Sequence, residues 1–231
     1  EVFQILTPLV PQPIITSAHK AVEIKVPDDL SIAVLPFANW SDDKENEYFS
    51  DGITEDIITD LAKITSLRVS SRNSVFTYKG KNVDVQKVGS EMNVRYVLEG
   101  SVRKAGNRIR ITAQLIEASS NTHMWAERFD RDLQDVFAIQ DEISKHIAGE
   151  LKIRLTKEQE QALTRKGTES LEAYDAYLKG LFHSRRKTKS DLDLAVDHLN
   201  RALVIDENFA AAHSVLAFVL RFKFAFGLDR N

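Results

Sequence analysis

The sequence predicts an α/β (α+β) fold: a mixed sheet with an antiparallel meander and packed helices, followed by an all-α helical segment. Three observations carry this. Ser31 to Phe37 is a short apolar run closed by Pro36, the pattern of a buried strand. Arg108 to Ala118 alternates strictly, with Ile109, Ile111, Ala113 and Leu115 on one face and Arg108, Arg110, Thr112 and Gln114 on the other. Ile139, Ile143, Ile147, Leu151 and Leu155 recur every four residues, which places them along one side of a long helix.

Residues 1–30 hold Pro8, Pro11, Pro13 and Pro27, four of the five prolines, and read as a linker. Val2 to Leu6 is a candidate edge strand within it. After the first strand, residues 39–47 are polar and loop-like. From Asp51 to Ile64 the apolar positions Ile53, Ile57, Ile58, Leu61 and Ile64 make one helical face, with Ser50 or Asp51 as the expected cap. Leu67 to Ser71 is a second strand, with Ser71-Arg72-Asn73-Ser74 capping and turning the chain after it. Val85, Val88 and Met92 mark a short helix with Asp84 near its start. Val94 to Lys104 and Arg108 to Ala118 form a hairpin across Ala105-Gly106-Asn107, and His123 to Phe129 is a last strand. Strict alternation leaves one sheet face solvated or lightly covered. A long helix is expected over Asp135 to Leu155, then a polar hinge or helix extension over 156–172. Everything from Glu172 is helical in pattern.

Several functions are excluded or disfavoured. The net charge of −3 gives no basic footprint for nucleic acid. The local run Arg185, Arg186, Lys187, Lys189 is expected to be a solvated turn. With no cysteine there is no disulfide framework, thiolate metal site or catalytic thiol. That absence fits a reducing cytosol or a periplasm and does not assign a compartment. No apolar run is long enough to span a membrane, and no signal-peptide pattern opens the chain. The first residue is Glu, so the chain is expected to be a piece of a longer protein with any anchor or signal outside it.

The chemistry-bearing residues are sparse. Gly80-Lys81 has no glycine at P-loop spacing before it and reads as a turn. His19, His123, His146, His183, His198 and His213 show no metal-ligand spacing. Asp42, Asp43, Glu45, Glu47, Asp51, Glu55 and Asp56 form an acidic stretch without calcium-loop spacing, explained by a helix start. Ser70, Ser71 and Ser74 lie in no nucleophile elbow. No catalytic, cofactor-binding or metal residue is therefore assigned. Trp40, Tyr48 and Trp125 are expected in the core; the alternative is a small-ligand pocket near the end of the first strand, at Phe37, Asn39 and Trp40.

Three long blocks occur in order. They are SIAVLPFANWSDDKENEYFSDGITEDIITDLAKI, YKGKNVDVQKVGSEMNVRYVLEGSVRKAGNRIRITAQLIEA and MWAERFDRDLQDVFAIQDEIS. Together they resemble the family related to the N-terminal domain of TolB, over residues 31–155, with the flagellar FlgO and curli-secretion CsgG proteins as looser relatives. In bacteria such domains stand beside cyclase, Ser/Thr kinase or winged-helix regulator domains, and tetratricopeptide repeats usually follow. The resemblance implies a non-catalytic regulatory or sensor module of a larger signalling protein and carries over no catalytic residue. Residues 173–231 resemble a truncated tetratricopeptide segment: Ala195, Leu199 and Ala202 fall where its second helix needs small residues, and Leu216, Ala217 and Leu220 open a next repeat. Glu207 stands where the repeat's proline usually is. Leu178 and Gly180 lie far ahead of Ala195, so a long turn is expected over Lys187 to Asp191.

Residues Val215 to Phe226 are apolar nearly all round. A terminal helix of a solenoid needs a polar cap that is missing here. Protein partners are expected on this surface, and self-association as a homodimer through Phe218, Phe222, Phe224 and Phe226.

Overall fold

The computed structural model describes residues 29–164 and 167–228. The proline-rich stretch and the candidate strand Val2 to Leu6 lie outside the described residues. Among those residues the fold is a mixed six-stranded sheet with eight helices, and the α/β class is the one expected from the sequence.

Strand β1 is Ser31–Val34 and every residue in it is buried. It lies parallel to both β3 (Arg68–Val69) and β4 (Tyr96–Ala105). The expected loop over 39–47 is partly strand. After Pro36 the chain returns to β4 as β2 (Ala38–Asn39), and the Trp40 amide donates to the Val102 carbonyl at 2.8 Å. Strands β4, β5 (Arg108–Glu117) and β6 (Thr122–Asp132) form the antiparallel meander. Its hairpin turn is made by Gly106 at φ +58°, a conformation that suits glycine. Strand β6 runs three residues past the expected Phe129, because Asp130 and Asp132 still face Arg110 and Arg108 across the ladder.

Helix α1 is Glu47–Ala62, a turn earlier than expected. A 3₁₀ turn over Lys44–Asn46 feeds into it, and Asp43 caps that turn by accepting from the Glu45 amide. Ser50 and Asp51 therefore stand inside the helix and are buried, not at its cap. Short helix α2 (Arg72–Val75) is capped by Ser71, as expected. Helix α3 (Val85–Met92) is capped by Asp84 and closed by Asn93 in the left-handed region at φ 50°. Helix α4 is Val136–Glu150 and stops five residues before the expected Leu155. Lys152 turns left-handed at φ 54°, and the Ile153 amide closes back on the Ala148 carbonyl. Ile53, Ile57 and Leu61 of α1, with Ile139, Ile143 and Ile147 of α4, are fully buried beside Ile109, Ile111, Ala113 and Leu115 of β5. This is the main core, and each branched side chain in it supplies roughly 1.5–3 kcal/mol.

The polar stretch after α4 holds a separate helix, α5 (Lys157–Leu163), begun by a capping box between Thr156 and Gln159. Three further helices follow: α6 (Leu171–Ser184), α7 (Lys189–Ile205) and α8 (Ala210–Ala225). The connection between α6 and α7 is only residues 185–188, so the long turn expected near Lys187 is absent. Lys187 at φ 57° reverses the chain tightly, and Thr188 caps α7. Small residues set the crossing: a Cβ on Gly180 would stand 2.6 Å from Leu199 Cγ, and Ala173, Ala195, Ala202 and Ala212 are buried around it.

Candidate functional site

Three places hold the residues of interest: the sheet end near Phe37, the seam between the sheet domain and α6, and the outer side of α8.

Phe37, Asn39 and Trp40 line a groove of about 670 Å³ between β2, the sheet face at Gly100 and the loop around Gly80. They play different parts. Phe37 is buried beneath Gly100, where a Cβ would meet its ring at 2.7 Å. Asn39 is consumed by its own turn, accepting from the Ser41 amide at 2.9 Å and donating to the Asp43 carbonyl. Trp40 is 68% exposed, contrary to the core position expected for it, because β2 ends at the sheet margin and turns its successor outward. Tyr48 is in the core, and Trp125 is half-buried under a stacked His146 at 5.4 Å.

The acidic stretch does not converge. Asp42 pairs with Arg103, Glu47 and Asp51 with Lys79, and Glu55 with Arg72 and Arg185. Among the described residues no group of three His, Cys, Asp or Glu side chains is placed to hold a metal. His183 and His198 do stack, 5.7 Å apart between α6 and α7, with His183 against Asp191 at 2.9 Å. The basic run is only partly solvated. Arg185 is drawn to Glu55 of α1, and Arg186 lies over the Phe182 ring.

The seam was not legible from spacing. Helix α6 lies on α1, and its Tyr174 and Leu178 belong to the sheet domain's core. Tyr174 donates to Asp56 Oδ2, which also accepts from Gln140 Nε2 of α4 at 3.0 Å. Burial pushes the Asp56 carboxyl up to about 7, against the opposing pull of hydrogen bonds from Tyr174 and Gln140. At the next residue, Asp175 accepts from Tyr48 at 2.5 Å and from Lys104 of β4 at 2.9 Å. Burial raises Asp175, but donors from Tyr48, Lys179 and Lys104 hold it below the usual carboxylate range. A cavity of about 170 Å³ lies beside Asp56, walled by Phe137, Tyr177 and Phe209. Four elements, α1, β4, α4 and α6, are thus joined by charged and hydrogen-bonded contacts.

On α8, Phe218, Phe224 and Phe226 are exposed at 48%, 82% and 66%, with Leu220 at 45%. Phe222 is half-buried: it packs against the helical core and stacks on Phe226 with ring centroids 4.4 Å apart. Of the described helices none is long and apolar enough to cross a membrane.

Residues 28–146, just over half of the chain, match the sequence profile of the family described as HilA/YgeH-like transcriptional regulator, second domain. The chain belongs to this family. The HilA/YgeH-like domain thus covers the sheet and reaches into α4. The chain is also 48% identical over 195 residues to a Rhizobium meliloti (strain 1021) protein named "Putative adenylate cyclase 3". The match takes in 84% of the chain and 33% of that protein, so the chain spans about a third of the curated relative's length. Among solved structures, TolB from Acinetobacter baumannii is similar at 18% identity and a TM-score of 0.41, over 54% of this chain and 29% of that one. The lipoprotein GNA1162 from Neisseria meningitidis is similar at 17% identity and a TM-score of 0.39, over 55% and 99%.

Proposed function

We propose that this chain is a non-catalytic regulatory module of a larger signalling protein, in which the HilA/YgeH-like sheet domain passes its state to a helical, protein-binding segment. The observation that carries the reading is the docking of α6 on α1. Two core side chains and three polar clusters tie the helices to the sheet, so a change in one part is felt by the other. The names of the family and of the Rhizobium relative support a signalling context. The parent's effector domain, cyclase, kinase or winged-helix, is part of the proposal. We read α6 to α8 as a tetratricopeptide-like repeat and a part of the next, with the α8 face taking protein partners.

Both tryptophans, Trp40 and Trp125, lie in the sheet domain, while much of the helix lies beyond it. Thermal unfolding followed by tryptophan fluorescence and by far-ultraviolet circular dichroism should give one coincident transition. Two separate transitions in the wild type would sink the coupling. Purified protein should show no cyclase, kinase, phosphatase or nuclease turnover. A turnover abolished by a single-residue change would overturn the non-catalytic reading.

A second reading has one observation in its favour, the exposed indole of Trp40 on the rim of the groove. An exposed aromatic beside a cleft of mixed apolar and polar lining suits a small-ligand receptor. A metabolite panel in a thermal-shift assay tests it, since a ligand of the native state raises the midpoint. Loss of any such shift in Trp40→Ala would assign it to the groove.

A further inference from the structure

The sheet ends in β6, an eleven-residue strand that pairs only with β5 among the described residues. An edge of that length presents a row of main-chain donors and acceptors to any strand that fits. We propose that β6 pairs with β6 of a second copy, antiparallel across a two-fold axis at Phe129, to make a sheet continuous through two protomers.

The charges select this occupant and this register. In an antiparallel pair, opposed residues share a sheet face, so a two-fold axis falls on a residue. With the axis at Phe129, Arg128 opposes Asp130 of the partner and Glu127 opposes the partner's Arg131. The axis repeats each pair, which makes four unlike-charge contacts, and Ala126 meets the partner's Asp132. No like charges meet. Sliding by one or two steps destroys this: an axis at Arg128 sets Arg against Arg, one at Asp130 sets Asp against Asp, and one at Glu127 sets Glu against Glu. An axis at Ala126 avoids like pairs but gains no unlike ones. Like charges directly opposite are destabilising and unlike ones favourable. The alternating signs that would repel other strands therefore serve as a key for this one.

Of the side chains involved, Arg128 is available and the others would share partners they already hold. Arg128 is exposed and, among the described residues, makes no hydrogen bond or ion pair. Asp130 is exposed and paired with Arg108 and Arg110, and Glu127 faces His146 at 3.5 Å and lies within electrostatic reach of Arg131 of its own strand. Arg131 is held by Glu142 at 2.7 Å and would share its guanidinium with the incoming Glu127. The surface is separate from the phenylalanines of α8, and the test is run with two of those, Phe222 and Phe226, replaced.

The chain has no cysteine, so introduced ones report without background. In a Phe222→Asp/Phe226→Asp background, Arg128→Cys protein and Asp130→Cys protein are oxidised alone and mixed. Opposed residues stand about 4.5–5.5 Å apart at Cβ and diagonal ones about 7–8 Å, so only the mixture should give a disulfide dimer in high yield. Equal yields alone and mixed, or none, would overturn the register. Sedimentation of Arg128→Glu in the same background should show association at least about tenfold weaker than the parent, restored in Arg128→Glu/Asp130→Arg. A parent monomeric throughout the micromolar range would overturn the pairing itself. Circular dichroism melts matched to the parent show that each variant is folded.

Discussion

Leu178 of α6 lies directly over Gly52 of α1: a Cβ on Gly52 would stand 2.5 Å from Leu178 Cδ2. The two residues are 126 positions apart, and their contact sets how closely the helical segment approaches the sheet domain. Gly52→Ala should therefore destabilise by about 1–3 kcal/mol, although alanine favours a helix. Leu178→Ala removes the obstacle. In a double-mutant cycle the pair should cost clearly less than the sum of the singles. Additive costs would show that α6 does not rest on this glycine.

Ile143 is fully buried where α4 crosses the sheet. Ile143→Asp places an unpaired carboxylate there and should unfold the domain, at a cost above roughly 3 kcal/mol. A cooperative melt unchanged from the wild type would remove α4 from the core.

The Asp56 carboxyl is raised by burial to about 7, well above its unfolded value of 3.8. The folded chain then holds a proton that the unfolded chain releases between those values. This contribution to stability is full below pH 3.8 and is lost as pH rises through 7. Asp56→Asn keeps a neutral group and removes that dependence. Between pH 5 and pH 8 the variant should gain on the wild type by about 1–3 kcal/mol. Parallel stability curves for the two proteins in urea would contradict the assignment.

The α8 surface yields a prediction about association. Burying Phe218, Phe224 and Phe226 stabilises by roughly 1.5–3 kcal/mol each, against the entropy of pairing. Light scattering after size exclusion should find the wild type self-associated at micromolar concentration, and Phe222→Asp/Phe226→Asp less so. The double variant retains whatever association β6 provides, so Phe222→Asp/Phe226→Asp/Arg128→Glu should be monomeric. A double variant as associated as the wild type would clear α8 of any role.

Local pattern was enough for most of the sheet domain. Period-two alternation in β5, the first three members of the four-residue repeat in α4 and the caps at Ser71 and Asp84 each depend on residues a few positions apart, and each is where the pattern placed it. The errors fall where a long-range contact outweighed the local signal. Asp51 looked like a cap but is held by Lys79, 28 positions on. Trp40 looked like core, yet β2 leaves it at the sheet margin. Helix α4 should have reached Leu155, but it turns off at Lys152.

The sequence by itself determined the fold class, the α/β arrangement and the apolar character of the last helix, because periodicity and composition are local properties that survive any packing. Only the tertiary structure decided that Asp56, Gln140 and Tyr174 share one hydrogen-bonded network, that Gly52 is a seat for Leu178, and that β6 is an edge strand among the described residues. Those facts arise where segments distant in the chain meet, and the outcome is set by shape and desolvation, which no spacing along the chain encodes.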